Sequence, residues 1–442
     1  MTHHITFRTF LSLSFFLFSM FLGAGNIIFA PPLGQAAGTN TWVAMSGFLI
    51  TGVGLVLLAI TALSIAGGSI DTLAGRVGPR FARIFSLLLF LTLGPIYVVP
   101  RTAAVAYEIS VTPFVAHEWT LMAFSIAFIG LSVYLALEPK KLVDRVGNIL
   151  TPTFIVLLLI IVLKSLITPI AEFAPPSGDY IDHAFSRGFT QGYFTMDVLA
   201  AFVFGKIFLD AAKLYGIAPQ LLSKLFVRAG VFAVTGLAVV QLSLAGMGAS
   251  SFTVLGLSTN GGQALTRIVD LLLGSAGVMM LASIILLTGL TTAVACLAAV
   301  SEYFSRVFPA LGYKSWNLLL GLLSLVITNF GLVTILRLAS PILLLLYPIA
   351  ITLVALVFLN RFFRGHQAVY IGAVTGAGVM GLLDAINAFG LIPPSLTTAL
   401  TVTIPLYASG LGWIIVAMLF GLVGFALIPF TRGQVFKNAP VM

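Results

Sequence analysis

The chain has 442 residues, of which 60% are hydrophobic and only 8% are charged. Soluble domains carry about 25% charged residues, and the mean hydropathy here is +1.13, so the composition excludes a water-soluble enzyme or binding domain. The formal net charge of +9 does not indicate a nucleic-acid partner, because the basic residues fall in predicted loops on one side of a membrane.

Apolar runs recur along the whole chain, each of the roughly 18 or more residues that cross a ~30 Å hydrocarbon core. We predict one integral membrane domain over 1–442, an all-α polytopic protein. Its helices, about twelve, are expected at 10–30, 42–66, 82–99 (or on to 111), 119–137, 149–168, 189–208, 225–246, 271–299, 315–332, 334–359, 367–391 and 404–429. The longest irregular stretches are expected at 169–188, 247–270 and 390–405. With a cytoplasmic N-terminus, most of the 22 Lys and Arg residues lie in cytoplasmic segments, which also places the C-terminus there.

The first segment is interrupted where it should be a continuous helix. Its residues 21–34 read Phe-Leu-Gly-Ala-Gly-Asn-Ile-Ile-Phe-Ala-Pro-Pro-Leu-Gly, so Gly23, Gly25 and the polar Asn26 lie at bilayer depth. Non-helical backbone is tolerated there only when it is packed in protein or lines a watery cavity. The break therefore predicts a transporter binding site in a segment that is retained rather than cleaved as a signal peptide. The alternative is a close-packing glycine contact between helices.

The third segment carries two charged residues. Arg101 and Glu108 are seven residues apart and hence on one helix face, where they could join a gating ion-pair network. A purely structural pair, or a Glu108 that reaches the outer surface, is the alternative.

The sixth segment repeats the polar interruption, with Asp197 inside the apolar run 192–205. Two broken helices five segments apart, entering from opposite sides, predict an inverted 5+5 repeat of 10–168 and 189–359, followed by two extra helices in 367–429. Asp197 is the candidate to meet a substrate ammonium or to help bind a cation, since buried carboxylates are costly. The alternative is that it caps the freed helix end.

The eighth segment contains Thr288, Thr291 and Thr292, whose i, i+3, i+4 spacing places three hydroxyls on one helical face. Such oxygens could complete a site for a hard cation without adding charge, although threonines in membrane helices often bond back to their own helix. Asp384, with Asn387, lies outside a ten-helix core, which favours a packing or interface role.

Nothing in the sequence indicates an enzyme. The five histidines lie near chain ends or in loops without metal-ligand spacing, and the single Cys296 excludes a disulfide within the chain. The sequence also has no P-loop, so transport would draw on an ion gradient.

Three motifs together are typical of a known family: Gly23-Ala-Gly-Asn-Ile-Ile-Phe-Ala-Pro-Pro-Leu-Gly34, Pro100-Arg-Thr-Ala103 and Tyr193-Phe-Thr-Met-Asp-Val-Leu-Ala-Ala201. Over essentially the full length the chain resembles the bacterial branched-chain amino-acid carriers, cation symporters for leucine, isoleucine and valine. More remotely, its first segment and Thr288-Gly-Leu-Thr-Thr292 are similar to the first and eighth helices of leucine-type sodium symporters.

This resemblance implies the leucine-transporter fold in the bacterial inner membrane. It implies a Na⁺ site formed by the carbonyls of Ser19 and Leu22 with Thr288, Thr291 and Thr292. The backbone N–H groups of Ala24 and Gly25 would hold the substrate carboxylate, beside Asn26. The sixth helix departs from the Ser-Leu-Gly motif of the sodium symporters, so a second Na⁺ and the amine contact are not carried over.

We therefore expect Na⁺-coupled uptake of leucine, isoleucine and valine by alternating access, with membrane lipid as the other contact partner. The pocket should lie between segments one, three, six and eight, and apolar side chains there would hold the aliphatic substrate: Met196, Val198, Leu199 and Phe202. Proton symport, with Asp197 or Glu108 titrating, remains open. From a different class, a passive channel or a non-transporting amino-acid sensor also remains open.

Overall fold

A computed structural model describes residues 6–115, 117, 119–137, 151–217, 219–430 and 434–436. These residues form helices joined by short turns, with an isolated antiparallel bridge between His366 and Val435. The architecture is therefore the polytopic helical one that the composition predicts.

The first part of the chain, up to residue 167, contains ten helices in the described ranges. They are α1 (Phe7–Phe21), α2 (Ala24–Ile27), α3 (Ala30–Ala37), α4 (Thr41–Leu49), α5 (Leu55–Ile65), α6 (Ile70–Gly75), α7 (Pro79–Leu91), α8 (Val98–Ser110), α9 (Thr120–Ala136) and α10 (Thr151–Ile167). Single π-helical turns, at Ile50–Gly54 and Thr92–Ile96, join α4 to α5 and α7 to α8.

The rest of the chain contributes nine further helices within the described ranges. They are α11 (Ala184–Gln191), α12 (Asp197–Leu214), α13 (Pro219–Leu255), α14 (Gly261–Val307), α15 (Tyr313–Thr328), α16 (Leu332–Leu359), α17 (Gln367–Ala388), α18 (Pro394–Thr403) and α19 (Gly412–Ala426). The last large helices, α16, α17 and α19, pack against one another.

Each of the predicted segments coincides with at least one of these helices. In the part of the chain that the structure describes, seven helical stretches are long and apolar enough to cross a bilayer, and five more apolar helices have 10–17 residues. The chain is a multi-pass membrane protein. That it crosses the membrane twelve times stays a prediction.

Two of the predicted irregular stretches are largely helical, so those predictions were wrong. Most of 247–270 belongs to α13 and α14, and Pro394–Thr403 forms α18. Glycine was interpreted as a loop residue, but Gly248 and Gly261 instead allow helices to touch. A Cβ on Gly248 would lie 2.0 Å from the Pro31 carbonyl oxygen. In membranes such small residues mark helix contacts rather than turns.

Glycine contacts occur in two matching pairs. Where α3 meets α13, a Cβ on Gly34 would lie 2.0 Å from the Ala245 carbonyl, and Gly248 meets Pro31 in return. Where α4 meets α11, a Cβ on Gly47 would lie 2.1 Å from the Phe185 carbonyl, and one on Gly188 would lie 1.8 Å from that of Ala44. On each of these four helices, the residue whose carbonyl is contacted lies three positions before the glycine that makes the return contact. The first segment thus meets the seventh as the second meets the sixth, a symmetry that an inverted 5+5 repeat would produce, while the bounds of the two repeats stay a prediction.

The third segment bends before it reaches the centre of the molecule. Pro95 lies in the π-helical turn, and Gly94 has non-helical angles (φ −95°, ψ −114°). Because proline lacks the N–H that a helix needs, the chain restarts as α8. α8 packs against α14, and this packing places Arg101 beside both broken helices and Tyr97 beside the sixth segment.

Candidate functional site

The first helix is broken at Leu22 and Gly23, and the break frees the carbonyls of the last turn of α1. The Gly23 N–H, which a continuous helix would direct to Ser19, donates instead to the Phe21 carbonyl at 2.8 Å. The Asn26 N–H, which would bond to Leu22, donates to the Gly23 carbonyl at 3.0 Å. All four carbonyls of residues 19–22 thus lose their helical partners, and those of Ser19 and Leu22, which the resemblance assigns to Na⁺, are among them.

On the other side of the break, Ala24 and Gly25 open the short helix α2. The first N–H groups of any helix lack an intrahelical partner. Both residues are buried, and Gly25 lines the central cavity described below whereas Ala24 does not.

The sixth segment is broken at 192–196, between α11 and α12. A 3₁₀ turn covers Gly192–Thr195, and Met196 takes a left-handed conformation (φ +71°) that is unusual for a non-glycine residue. The Phe194 carbonyl consequently points out of the chain's own helix and accepts hydrogen bonds from Arg101 and Tyr97. Helical structure resumes at Asp197, so both predicted interruptions are confirmed.

A side-chain contact joins the two breaks. The Asn26 Nδ2 group donates to both carboxylate oxygens of Asp197, at 3.0 and 2.8 Å, and also to the Phe21 carbonyl. Gln241 holds the Asn26 backbone by donating to its carbonyl at 2.9 Å. Asp197 is the first residue of α12, where a negative charge suits the helix dipole. The Asn26 Oδ1 atom is buried and has no hydrogen-bond partner among the described residues.

Arg101 lies across the same point from the third segment. Its side chain is 3% exposed, and its Nη1 donates to the Phe194 carbonyl at 2.6 Å and to the Tyr97 hydroxyl at 3.0 Å. Its guanidinium carbon also lies 4.5 Å from the centre of the Tyr97 ring and 5.7 Å from that of Phe29. The expected partnership with Glu108 is absent: these two residues form no ion pair in the described chain, and Glu108 lies beside Gly262. The reason is that Arg101 turns inward to the breaks.

The threonines of α14 meet the first break directly. A Cβ on Gly23 would lie 2.7 Å from the Thr292 Oγ1 atom. Thr291 and Thr292 donate their hydroxyls to the Thr288 carbonyl at 2.9 and 3.0 Å, and Thr288 donates to Ile284. Each hydroxyl oxygen keeps acceptor capacity after this back-bonding.

A small cavity lies between the breaks, α8 and α14. Its volume is about 20 Å³, enough for about one water. Of the four apolar residues predicted for the pocket, Met196 lines it, whereas Val198, Leu199 and Phe202 are buried elsewhere. The apolar lining also includes side chains that the sequence analysis missed: Met20, Phe21, Leu93, Val98, Ala200 and Phe204. The helical spacing of 197, 200 and 204 was the available signal for the last two.

Further along α12 lies a set of ion pairs that we call the ion-pair layer: Asp71, Lys206, Glu302 and Arg306. Arg306 contacts Asp71 at 3.1 Å, and Lys206 pairs with Glu302. Lys206 is nine residues beyond Asp197 on α12, about 14 Å away at 1.5 Å per residue. Next to this layer the rings of Phe90 and Tyr303 stack with centres 3.9 Å apart. By the distribution of basic residues, this is the predicted cytoplasmic side.

Comparison with known proteins yields one consistent result. A family model described as "Branched-chain amino acid transport protein" matches residues 7–430. The branched-chain amino acid permease BraB of Bacillus subtilis (strain 168) is 39% identical over 434 residues, which cover 97% of this chain and 98% of the permease. The permease BrnQ of Escherichia coli (strain K12) is 35% identical over 418 residues, 94% of each chain.

Two solved structures share the fold at low sequence identity. Mhp1, a nucleobase-cation-symport-1 family transporter, has a TM-score of 0.57 and 16% identity, covering 97% of this chain and 94% of its own. MhsT in complex with L-phenylalanine has a TM-score of 0.56 and 18% identity, covering 95% and 98%. The chain thus has the leucine-transporter fold with broken first and sixth helices.

Proposed function

Because the chain belongs to the branched-chain amino acid transport protein family, we propose that it carries leucine, isoleucine and valine into the cell together with Na⁺. Family membership makes it a transporter rather than an enzyme. Beyond family membership, we propose three things: the coupling ion, the direction of transport and the residues that bind substrate.

The observation that carries Na⁺ coupling is the contact between the first break and α14. The carbonyls of Ser19 and Leu22 are released from their helical partners beside Thr292. Neutral carbonyl and hydroxyl oxygens are the ligands of hard cations, and unwound carbonyls in transporters bind Na⁺. Na⁺ held by these carbonyls and by Thr288, Thr291 and Thr292 would tie the first segment to the eighth.

The substrate binds, in this proposal, between the two breaks. The N–H groups at Ala24 and Gly25 face its carboxylate and Asp197 its ammonium, while the apolar cavity wall contacts the aliphatic side chain. A pocket of this kind separates substrates that differ by one methylene by only about 1–3 kcal/mol, which suits a carrier shared by three similar amino acids. A cavity of about 20 Å³ cannot hold leucine, so the helices must move apart during the cycle.

Ion and substrate then support each other. If Na⁺ fixes the first segment in the substrate-binding arrangement, leucine must increase the affinity for Na⁺ by the same factor. Uptake would follow the Na⁺ gradient, because the loaded state forms on the side where Na⁺ is abundant.

Reconstituted proteoliposomes test the proposal. Labelled leucine should accumulate under an inward Na⁺ gradient and not under an equal K⁺ gradient. Accumulation that requires only a proton gradient would reject Na⁺ coupling, and flux without accumulation would indicate a channel.

The Na⁺ site has its own test. The double variant Thr291→Ala/Thr292→Ala should raise the Na⁺ concentration for half-maximal uptake at least about tenfold, which corresponds to about 1.4 kcal/mol. Thr328→Ala is the matched control, because Thr328 makes the same back-bond, to Ser324 at 2.7 Å, on α15. An unchanged Na⁺ dependence in the double variant would reject this site.

A further inference from the structure

Arg101 carries a buried positive charge that the structure leaves incompletely satisfied. Among the described residues no carboxylate lies within the 4.0 Å of an ion pair with it, and its buried Nε has no hydrogen-bond partner. Its polar contacts are one hydroxyl and one backbone carbonyl. A charged side chain inside a membrane span is costly and marks function by default.

The Arg101 guanidinium contacts both breaks, at Gly25 in the first and at Phe194 in the sixth segment. A Cβ on Gly25 would be 2.4 Å from Arg101 Nη2 and 2.5 Å from Cζ, so the group rests directly on the backbone at Gly25. Arg101 and Asp197 both line the small central cavity. Asn26 holds the Asp197 carboxylate in place. The cavity is therefore lined by a fixed carboxylate and by a guanidinium whose Nε–H donor has no partner among the described residues.

We propose that Arg101 binds the carboxylate of the transported amino acid, so that Arg101 and Asp197 together recognise the zwitterion. This inference rests on the proposed function. It adds the Arg101 side chain to the backbone N–H groups of the first break as a ligand of the substrate carboxylate. In the state described here the Phe194 carbonyl occupies the place of that carboxylate, accepting from Nη1 at 2.6 Å.

The chemistry of the group suits this role. The planar guanidinium offers five donors in a fork that matches a carboxylate, and charge-assisted bonds of this kind are about twice as strong as neutral ones. When substrate replaces the Phe194 carbonyl, Arg101 releases the unwound part of the sixth segment. Substrate binding is thereby linked to movement of that segment relative to the third.

Equilibrium binding of L-leucine and L-leucinamide to the purified full chain in saturating NaCl tests the role of Arg101. Leucinamide keeps the ammonium and side chain but replaces the carboxylate with a neutral amide. The wild type should prefer leucine by about 100-fold, the effect of two charge-assisted hydrogen bonds. In Arg101→Gln the preference should fall to within about threefold, mainly through weaker leucine binding.

A second variant, Arg101→Lys, is included in case Arg101→Gln fails to fold. It keeps the positive charge and loses only the planar, two-pronged arrangement of guanidinium donors. It should bind leucine about tenfold more weakly and leucinamide as the wild type does. Arg76→Lys is the matched control: Arg76 is also buried, donates to the Tyr370 hydroxyl at 2.7 Å, and lies away from the cavity, so the preference should stay unchanged.

The outcomes separate the two proposals. A wild type that does not bind leucine overturns the proposed function and this inference with it. A wild type that binds leucine, with undiminished preference in Arg101→Gln or equal losses for both ligands in Arg101→Lys, overturns only the role of Arg101.

Discussion

The close approach of Arg101 to the first break leads to a sharp prediction for Gly25→Ala. The added methyl carbon would lie 2.4 Å from Nη2, 2.5 Å from Cζ and 2.8 Å from Nε of Arg101. Carbon makes comfortable contacts at about 3.5 Å, so the guanidinium must withdraw by about 1 Å.

That displacement weakens the hydrogen bonds by which Arg101 joins the third segment to the sixth. Its bonds to the Phe194 carbonyl and the Tyr97 hydroxyl, at 2.6 and 3.0 Å, would lengthen by up to about 1 Å and so weaken. With overpacking of 1–3 kcal/mol and partial loss of two bonds from a charged donor, we expect a destabilisation of about 2–4 kcal/mol. Leucine affinity should fall at least about tenfold, because the guanidinium is no longer in place.

Leucine binding and thermal unfolding of the purified variant measure both effects. Gly130→Ala is the control, because a Cβ there meets nothing within 4 Å and Gly130 also lies within a membrane helix. In Gly25→Ala/Arg101→Gln the shorter side chain relieves the contact, so the two changes should be non-additive. Wild-type stability and leucine affinity in Gly25→Ala would refute the placement of Arg101 against the break.

Two further changes probe the contacts around the cavity. Asn26→Leu should lower leucine affinity and destabilise the protein by about 1–3 kcal/mol, because buried Asp197 loses its amide donor; wild-type thermal unfolding would contradict this. Asp71→Asn/Glu302→Gln should loosen the ion-pair layer, and if that layer restricts access to the cavity, maleimide labelling of the buried Cys296 should increase several-fold. Asp179→Asn, in an exposed ion pair with Arg187, is the control, and equal labelling in both would contradict a closing role.

Much of the fold could be predicted from the sequence because the bilayer limits the choices. Long apolar runs must be helices, since lipid offers no partner for backbone polar groups. For the same reason, Gly23 with Asn26 and Asp197 at bilayer depth indicated interrupted helices, and the breaks occur within a few residues of those positions. Glycine-rich 247–270 was misjudged because glycine serves both turns and close helix contacts, and only the neighbouring helix distinguishes them.

The candidate site was predictable only in part. The spacing of Thr288, Thr291 and Thr292 defined one helix face, but which helix that face meets depends on packing over hundreds of residues. Arg101 shows the limit most clearly. Helical periodicity paired it with Glu108 on its own helix, whereas the bend at Gly94 and Pro95 and the bare backbone at Gly25 turn it toward Phe194.

The sequence by itself determined that this chain crosses a membrane many times, that two of its helices are interrupted, and which family it resembles, because hydrophobicity and local polar breaks act over short distances. The tertiary structure alone decided that Asn26 holds Asp197, that Thr292 touches the first break, and that a buried guanidinium faces both breaks. Those contacts join residues far apart in the chain, and their geometry follows from how whole helices pack.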